Sequence, residues 1–228
     1  MLEKRKPIIG LTMGDPNGIG PEIIVKALTK LNLCLDWHPV IFGDAWVLEQ
    51  VINKLGSNLQ LRVCENLAEL TGGPCIVDLK VHSGRNWNLG QVGAWGGESS
   101  FQFLKVAIEA ALANQIDAIT TAPISKTALH MAGHHFPGHT EILSALSNGA
   151  PPIMMLTVEG LRAVHISTHV SLRNAIEQLQ PKRILEVAQV THDALRRMGI
   201  ENPRLALPGL NPHASAVSYT HLTLPTKA

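Results

Sequence analysis

The sequence predicts an α/β fold, a mainly parallel β-sheet covered on both faces by helices. Short apolar runs of strand length alternate along the chain with segments whose apolar residues recur at helical spacing, the pattern of β-α-β units. A stretch from Thr120 to Glu141 leaves the apolar pair Ala118–Ile119 through small polar residues and Pro123, which is how a buried strand of such a sheet ends, and ligands bind outside such ends. The composition agrees: 228 residues, 45% hydrophobic and 16% charged, are enough for one large or two modest domains with a sizeable core.

In chain order, Pro7 to Met13 reads as a first buried strand, followed by the glycine-rich turn Gly14 to Glu22. Pro21 falls at the first position of a helix, where its missing N–H costs nothing, and Ile23, Ile24, Ala27 and Leu28 form that helix's apolar stripe. His38 to Gly43 is a second strand, after which Asp44 caps a helix carrying Trp46, Val47, Val51 and Ile52. Leu59 to Cys64 and Cys75 to Leu79 are further strands. Lys80 to Gly97, rich in Gly, Asn and Trp, reads as a long ordered loop and a candidate substrate-facing lid. From about Gly97 to Asn114, Phe101, Leu104, Ile108 and Ala111 fall at helical spacing, and Asp117 to Thr121 is the strand leading into the Thr120–Glu141 stretch.

A short helix after Glu141 ends near Gly149, and Pro151-Pro152 marks a boundary. Ile153 to Val158 and Arg162 to Ser167 read as a hairpin joined at Glu159-Gly160. Val170 to Leu179 is one helix and Pro181 to Met198 another, ended by Gly199, and Arg204 to Pro208 returns as a strand. Ser215 to Ala228 matches none of these patterns and reads as a non-native tail.

Composition also narrows function. Aromatics are only 4% of the chain and the formal net charge is +1, which speaks against nucleic-acid or membrane-surface partners. The three cysteines, Cys34, Cys64 and Cys75, have no metal-ligand spacing and are expected to be reduced, inert thiols. No apolar segment approaches the length needed to span a bilayer, so a soluble cytoplasmic protein is expected.

Candidate site residues come from strand ends. Lys126 supplies a cation, His139 a titratable ring and Thr140 a hydroxyl. His139 and Thr140 read as polar ligand contacts or an acid/base pair, and Thr140 is also placed to cap the next helix. Lys126 suits a phosphate or carboxylate, or is a solvated lysine at a helix start. Gly18 and Gly20 precede a helix N-terminus whose N–H groups can hold an anion, or they serve a tight turn; their spacing is no nucleotide fingerprint. Ser167-Thr168-His169 and Gly209-Leu210-Asn211-Pro212-His213 each bring a histidine to the end of an apolar run, and neutral imidazoles there are common ligands for a divalent metal. His165 shares a strand face with Ser167 and His169 by alternation, while His130, His134 and His135 read as surface or loop residues. No residue is assigned a catalytic role.

Taken together, Gly-Asp-Pro-Asn-Gly-Ile-Gly-Pro-Glu at 14–22, Thr-Ala-Pro-Ile-Ser-Lys at 121–126, Gly-His-Thr-Glu at 138–141, Ser-Thr-His at 167–169 and Gly-Leu-Asn-Pro-His-Ala at 209–214 resemble the 4-hydroxythreonine-4-phosphate dehydrogenase family. The resemblance covers residues 1–214 and implies a fold like that of the isocitrate and isopropylmalate dehydrogenases, with two subdomains (1–122 and 123–214) around a cleft and dimerisation completing the site. It implies NAD- or NADP-dependent oxidation, with decarboxylation, of the small phosphorylated hydroxy acid 4-phosphooxy-L-threonine on the route to pyridoxal phosphate. D-threonate or D-erythronate 4-phosphate is the alternative substrate, and an inactive metal- or phosphate-binding fragment the alternative of another class. By motif, His169 and His213 become ligands of one divalent ion (Zn, Mg, Co or Mn), and His139 and Thr140 become substrate contacts. The family's sequences continue beyond Asn-Pro-His-Ala with a long C-terminal region that holds a third metal histidine and much of the cofactor site; residues 215–228 depart from it, so a C-terminal part of the fold is expected to be missing.

Overall fold

The structure, a computed structural model, describes residues 5–30, 36–64, 67, 73–81, 87–147, 152–168 and 170–211. It consists of two compact units, Met1–Pro152 and Ile153–Ala228.

In the first unit, β1 (Ile8–Thr12), β2 (His38–Gly43), β3 (Arg62–Val63), β4 (Cys75–Asp78) and β5 (Ala118–Thr121) form one sheet in the order β3-β4-β2-β1-β5. Every pairing is parallel, as alternating strands and helices require, because parallel neighbours need a crossover connection. Ile41 and Ile76 share a core with Ile24 and Val25 of α1 (Gly20–Lys30) and Val47 and Leu48 of α2 (Ala45–Leu55). Val40, Phe42 and Cys75 face the other way, onto Ala107 and Ala110 of α3 (Ala94–Leu112). Helices therefore cover both faces.

After β5 come α4 (Lys126–Met131) and α5 (His139–Leu146). Leu129 and Ile142 from these helices bury against Leu104 and Ile108 of α3, each burial contributing about 1.5–3 kcal/mol. This packing joins α4 and α5 to the first unit, so the chain divides after Pro152, at the expected proline boundary, and not after Ala122. Asp44 caps α2 as expected, accepting the Val47 N–H at 3.1 Å.

The cysteines depart from expectation. Cys64 and Cys75 form a disulfide with their Cα atoms 5.8 Å apart. They stand eleven positions apart in sequence, a spacing that marks no motif; the parallel pairing of β3 with β4 is what brings them together. The Cys64 N–H donates to the Ile76 carbonyl at 2.7 Å, extending that ladder past Val63. Cys34 lies outside the described residues.

In the second unit, β6 (Met155–Val158) and β7 (Leu161–Val164) form the expected antiparallel hairpin through Glu159-Gly160. It is followed by α6 (Leu172–Glu177) and α7 (Pro181–Arg197), and Gly199 ends α7 with φ 88°. Two expectations fail. β7 stops at Val164, so the alternation meant to place His165 on a face with Ser167 and His169 does not extend that far. Residues 204–208 are exposed and form no strand. An extended segment needs a neighbour for its N–H and C=O groups, and among the described residues β6 and β7 pair only with each other. The segment 215–228 lies outside the described residues. No helix among the described residues is long and apolar enough to cross a membrane.

Candidate functional site at the head of β1 and β5

The chain leaves β1 to build β2 on one side of it and later returns to lay β5 on the other. The helix after β1 packs on one face of the sheet, whereas α4 packs with α3, which covers the opposite face. The carboxyl ends of the strands at such a switch point are the favoured ligand position in a parallel α/β sheet. The described candidates Gly18, Gly20, Lys126, His139 and Thr140 all follow β1 or β5.

Backbone contacts lock the two strand ends together. The Asp15 N–H donates to the Pro123 carbonyl at 3.1 Å. Gly14, at φ +70°, sits so close that a methyl group there would overlap the Pro123 oxygen and stand 2.9 Å from the Ala122 oxygen. A methyl on Gly20 would overlap the Met13 carbonyl and lie 3.1 Å from Ala122 Cβ. The Gly18 N–H donates to the Asp15 carbonyl at 2.9 Å. Close approach of chain to chain thus accounts for glycine at 14 and 20.

Sequence reasoning passed over three residues here. Asp15 is only 5% exposed. Its Oδ1 accepts the Asn17 N–H at 2.9 Å, and the carboxylate lies against Gly96, where a methyl group would overlap it. α3 starts with no side-chain cap, so Asp15 brings negative charge to the positive end of that helix. Burial nonetheless raises the Asp15 pKa, with the Asn17 N–H opposing in part. Asn17 is buried and its Oδ1 has no hydrogen-bond partner among the described residues. Trp87 donates its indole N–H to the Pro16 carbonyl at 2.8 Å and the Gly90 N–H reaches the Asn17 carbonyl at 2.7 Å. The expected long loop is therefore fastened to the glycine-rich turn. An acidic and an amide side chain inside an otherwise apolar strand-to-helix turn was the available signal.

His139 is the first residue of α5. The helix is capped by Gly138, so Thr140 lies inside the first turn and does not act as the cap. The imidazole is half-buried, and its Nε2 is buried with no hydrogen-bond partner among the described residues. Burial lowers the pKa of His139 more than the Ala122 contact raises it, favouring the neutral ring. Lys126 opens α4 behind Ser125, whose hydroxyl accepts the Ala128 N–H at 3.2 Å. A methyl on Gly138 would lie 4.0 Å from Lys126 Cε and 3.6 Å from Glu141 Oε2, so both side chains flank the start of α5. Lys126, His139 and Thr140 are thus brought together: a cation, a neutral imidazole and a hydroxyl. Such a set suits an anionic ligand that also presents a hydroxyl.

His169 and His213 lie outside the described residues. Among the described residues no group of three or more His, Cys, Asp or Glu is placed to hold a metal ion. His134 is a fastening residue, stacked on Phe101 at 3.7 Å and bonded through Nε2 to Glu98 at 2.8 Å.

Comparison with known proteins agrees with this architecture. The chain is 38% identical over 211 residues to the D-threonate 4-phosphate dehydrogenase of Cupriavidus necator, covering 91% of this chain and 63% of that protein. It is 39% identical over 211 residues to the enzyme of the same name from Salmonella typhimurium, covering 90% and 64%. The crystal structure of a 4-hydroxythreonine-4-phosphate dehydrogenase from Burkholderia phymatum superposes with a TM-score of 0.84 at 36% identity, covering 92% of this chain and 64% of that one. The chain thus spans just under two thirds of the length of these relatives. The family model described as pyridoxal phosphate biosynthetic protein PdxA matches residues 36–218, and the chain belongs to the PdxA family.

Proposed function

We propose that this chain carries part of the site of a nicotinamide-dependent dehydrogenase, which oxidises the secondary hydroxyl of a four-carbon, 4-phosphorylated acid with NAD or NADP as hydride acceptor. The observation that carries the reading is the convergence of Lys126, His139 and Thr140 at the start of α5, at the switch point of a PdxA-family sheet. Lys126 meets the phosphate or carboxylate, with the N-terminus of α1 beside Gly18 and Gly20 as a second anion contact. His139 and Thr140 meet the substrate's polar groups. Oxidation yields a β-keto acid, which loses carbon dioxide.

D-threonate 4-phosphate is the favoured substrate, because the Cupriavidus and Salmonella relatives bear that name. 4-Phosphooxy-L-threonine, on the route to pyridoxal phosphate, is the second reading, favoured by the name of the Burkholderia structure and by the family description. The two differ in a hydroxyl or an ammonium group at C2. NADH formation by the whole protein on each substrate separates them, and no turnover of either would end the proposal.

His169 and His213 are the proposed ligands of one divalent cation, which when bound withdraws electron density from the hydroxyl oxygen. A fold like that of the isocitrate and isopropylmalate dehydrogenases, a cytoplasmic location and a homodimer complete the reading. The second unit exposes Leu156, Val158, Leu161, Leu172 and Leu185, apolar surface that a second copy would cover. Light scattering on the whole protein checks the dimer.

A further inference from the structure

We propose that His134 is a positioning residue for the substrate site: its ring, bonded to Glu98 and stacked on Phe101, holds the segment between α4 and α5 against α3 and so fixes the start of α5, where His139 and Thr140 stand. This rests on the reading of His139 and Thr140 as substrate contacts.

α5 does not fix its own start. Gly138 provides no side-chain cap, and the bond from the Ile142 N–H to the Gly138 carbonyl is long, at 3.4 Å. A helix end of this kind frays unless something outside holds it. The preceding segment supplies that hold. α4 closes in a Schellman motif: with Gly133 at φ 88°, the Gly133 N–H donates to the His130 carbonyl at 3.0 Å and the His134 N–H to the Leu129 carbonyl at 2.9 Å. α4 thereby sets the backbone of His134, and α3 sets its side chain. The ring lies 3.7 Å from that of Phe101 and 14° from parallel, and Nε2 is 2.8 Å from Glu98 Oε2. Phe136 follows, 6.1 Å from Phe101 between ring centroids and packed on the cluster of Leu104, Ile108, Leu129 and Ile142. Pro137 and Gly138 alone separate it from His139.

Glu98 is prepared as the acceptor. Gln102 donates to its Oε1 at 2.7 Å, and that bond, with His134 and Lys105, outweighs burial and holds the carboxyl below the usual glutamate range. An ionised carboxylate only accepts, so Nε2 of His134 carries the proton it donates. A pair of freely moving surface side chains would contribute little. Here the stack and the closing turn of α4 have already taken up the freedom of the imidazole, so the bond constrains the segment that leads to His139.

The test uses variants of the whole protein. His134→Phe keeps the stack and removes the donor, Glu98→Ala removes the acceptor, and His134→Gln keeps an N–H at the reach of Nε2. His134→Phe and Glu98→Ala are each expected to raise KM about 3- to 10-fold, the loss of one hydrogen bond, with kcat unchanged, on whichever of the two substrates the wild-type protein turns over. His134→Gln is expected to restore KM, and the double variant to be no worse than either single one, because both remove the same bond. Deuterium uptake over α5 is expected to rise in His134→Phe while that over β1 and β2 stays at the wild-type level; if His134→Phe does not fold, Glu98→Ala gives the same readings. Wild-type KM in both single variants, a fall in kcat at constant KM, additive losses in the double variant, or unchanged uptake over α5 would each overturn the proposal. If the wild-type protein reduces no NAD on either substrate, the dehydrogenase reading fails, and uptake over α5 still decides whether His134 fixes the helix start.

Discussion

Gly97 of α3 meets the Ala128 peptide of α4 so closely that a methyl group at Gly97 would overlap the Ala128 carbonyl and stand 2.6 Å from the Leu129 nitrogen. The contact seats α4, and with it Lys126, on the long helix behind the sheet. Gly97→Ala would gain about 1 kcal/mol of helix propensity. The overlap is with backbone, which no rotamer relieves, and overpacking of this kind costs about 1–3 kcal/mol or more. A lower urea midpoint with an unchanged slope is the expected outcome; an unchanged midpoint would show that α4 gives way.

Asp15 sets a pH dependence of definite sign. Its pKa is raised in the fold above 3.8, so the folded state binds the proton more readily than the unfolded chain. The stability contribution is therefore full below 3.8 and is lost as pH rises through the folded value. Asp15→Asn keeps an acceptor for the Asn17 N–H and removes the buried charge, so it should match or exceed wild-type stability at pH 7 and flatten this limb. Asp15→Ala leaves the Asn17 N–H unpaired, at a cost of about 1–3 kcal/mol. Denaturant titrations of both variants across pH 3–7 check the ordering.

Trp87 ties the loop after β4 to the glycine-rich turn, with Trp46 edge-on at 6.0 Å between ring centroids. Trp87→Phe preserves most of the packing and deletes the bond to Pro16. A stability loss of about 1 kcal/mol is expected, with a larger relative effect on KM than on kcat, read from steady-state kinetics of the whole protein.

The disulfide closes a short loop between Cys64 and Cys75, eleven positions apart in sequence. In the chain-entropy picture a loop of that length contributes about 2–3 kcal/mol. Cys64→Ser should lower the thermal midpoint, and reductant should lower the wild-type midpoint without affecting the variant. A wild-type midpoint indifferent to reductant would mean the bridge contributes nothing.

Much of this was legible beforehand because the signals were local. The alternation of apolar runs gave the parallel sheet, Asp44 announced its helix, and Gly199 announced the end of α7. The motif at 138–141 drew attention to His139, the first residue of α5, whose Nε2 is buried without a partner among the described residues. What stayed hidden depended on pairings that no local pattern announces. The Cys64–Cys75 bond needs the β3–β4 pairing, and Asp15 matters only because α3 starts beside it. The segment 204–208 has a strand's composition, yet composition cannot supply the neighbour that a strand must pair with.

The seam between β1 and β5 is fastened at its base by Asp117, which accepts from Arg5 at 2.6 Å and from the Ile8 N–H at 2.7 Å. On a translating ribosome the first strand emerges long before the carboxylate that receives it, a wait on the order of ten seconds at ordinary elongation rates. Throughout that interval β1 has one flank with nothing to pair to. Chaperone occupancy of nascent chains should therefore fall once Asp117 clears the exit tunnel, and the β1–β5 seam is among the last features of this unit to take shape.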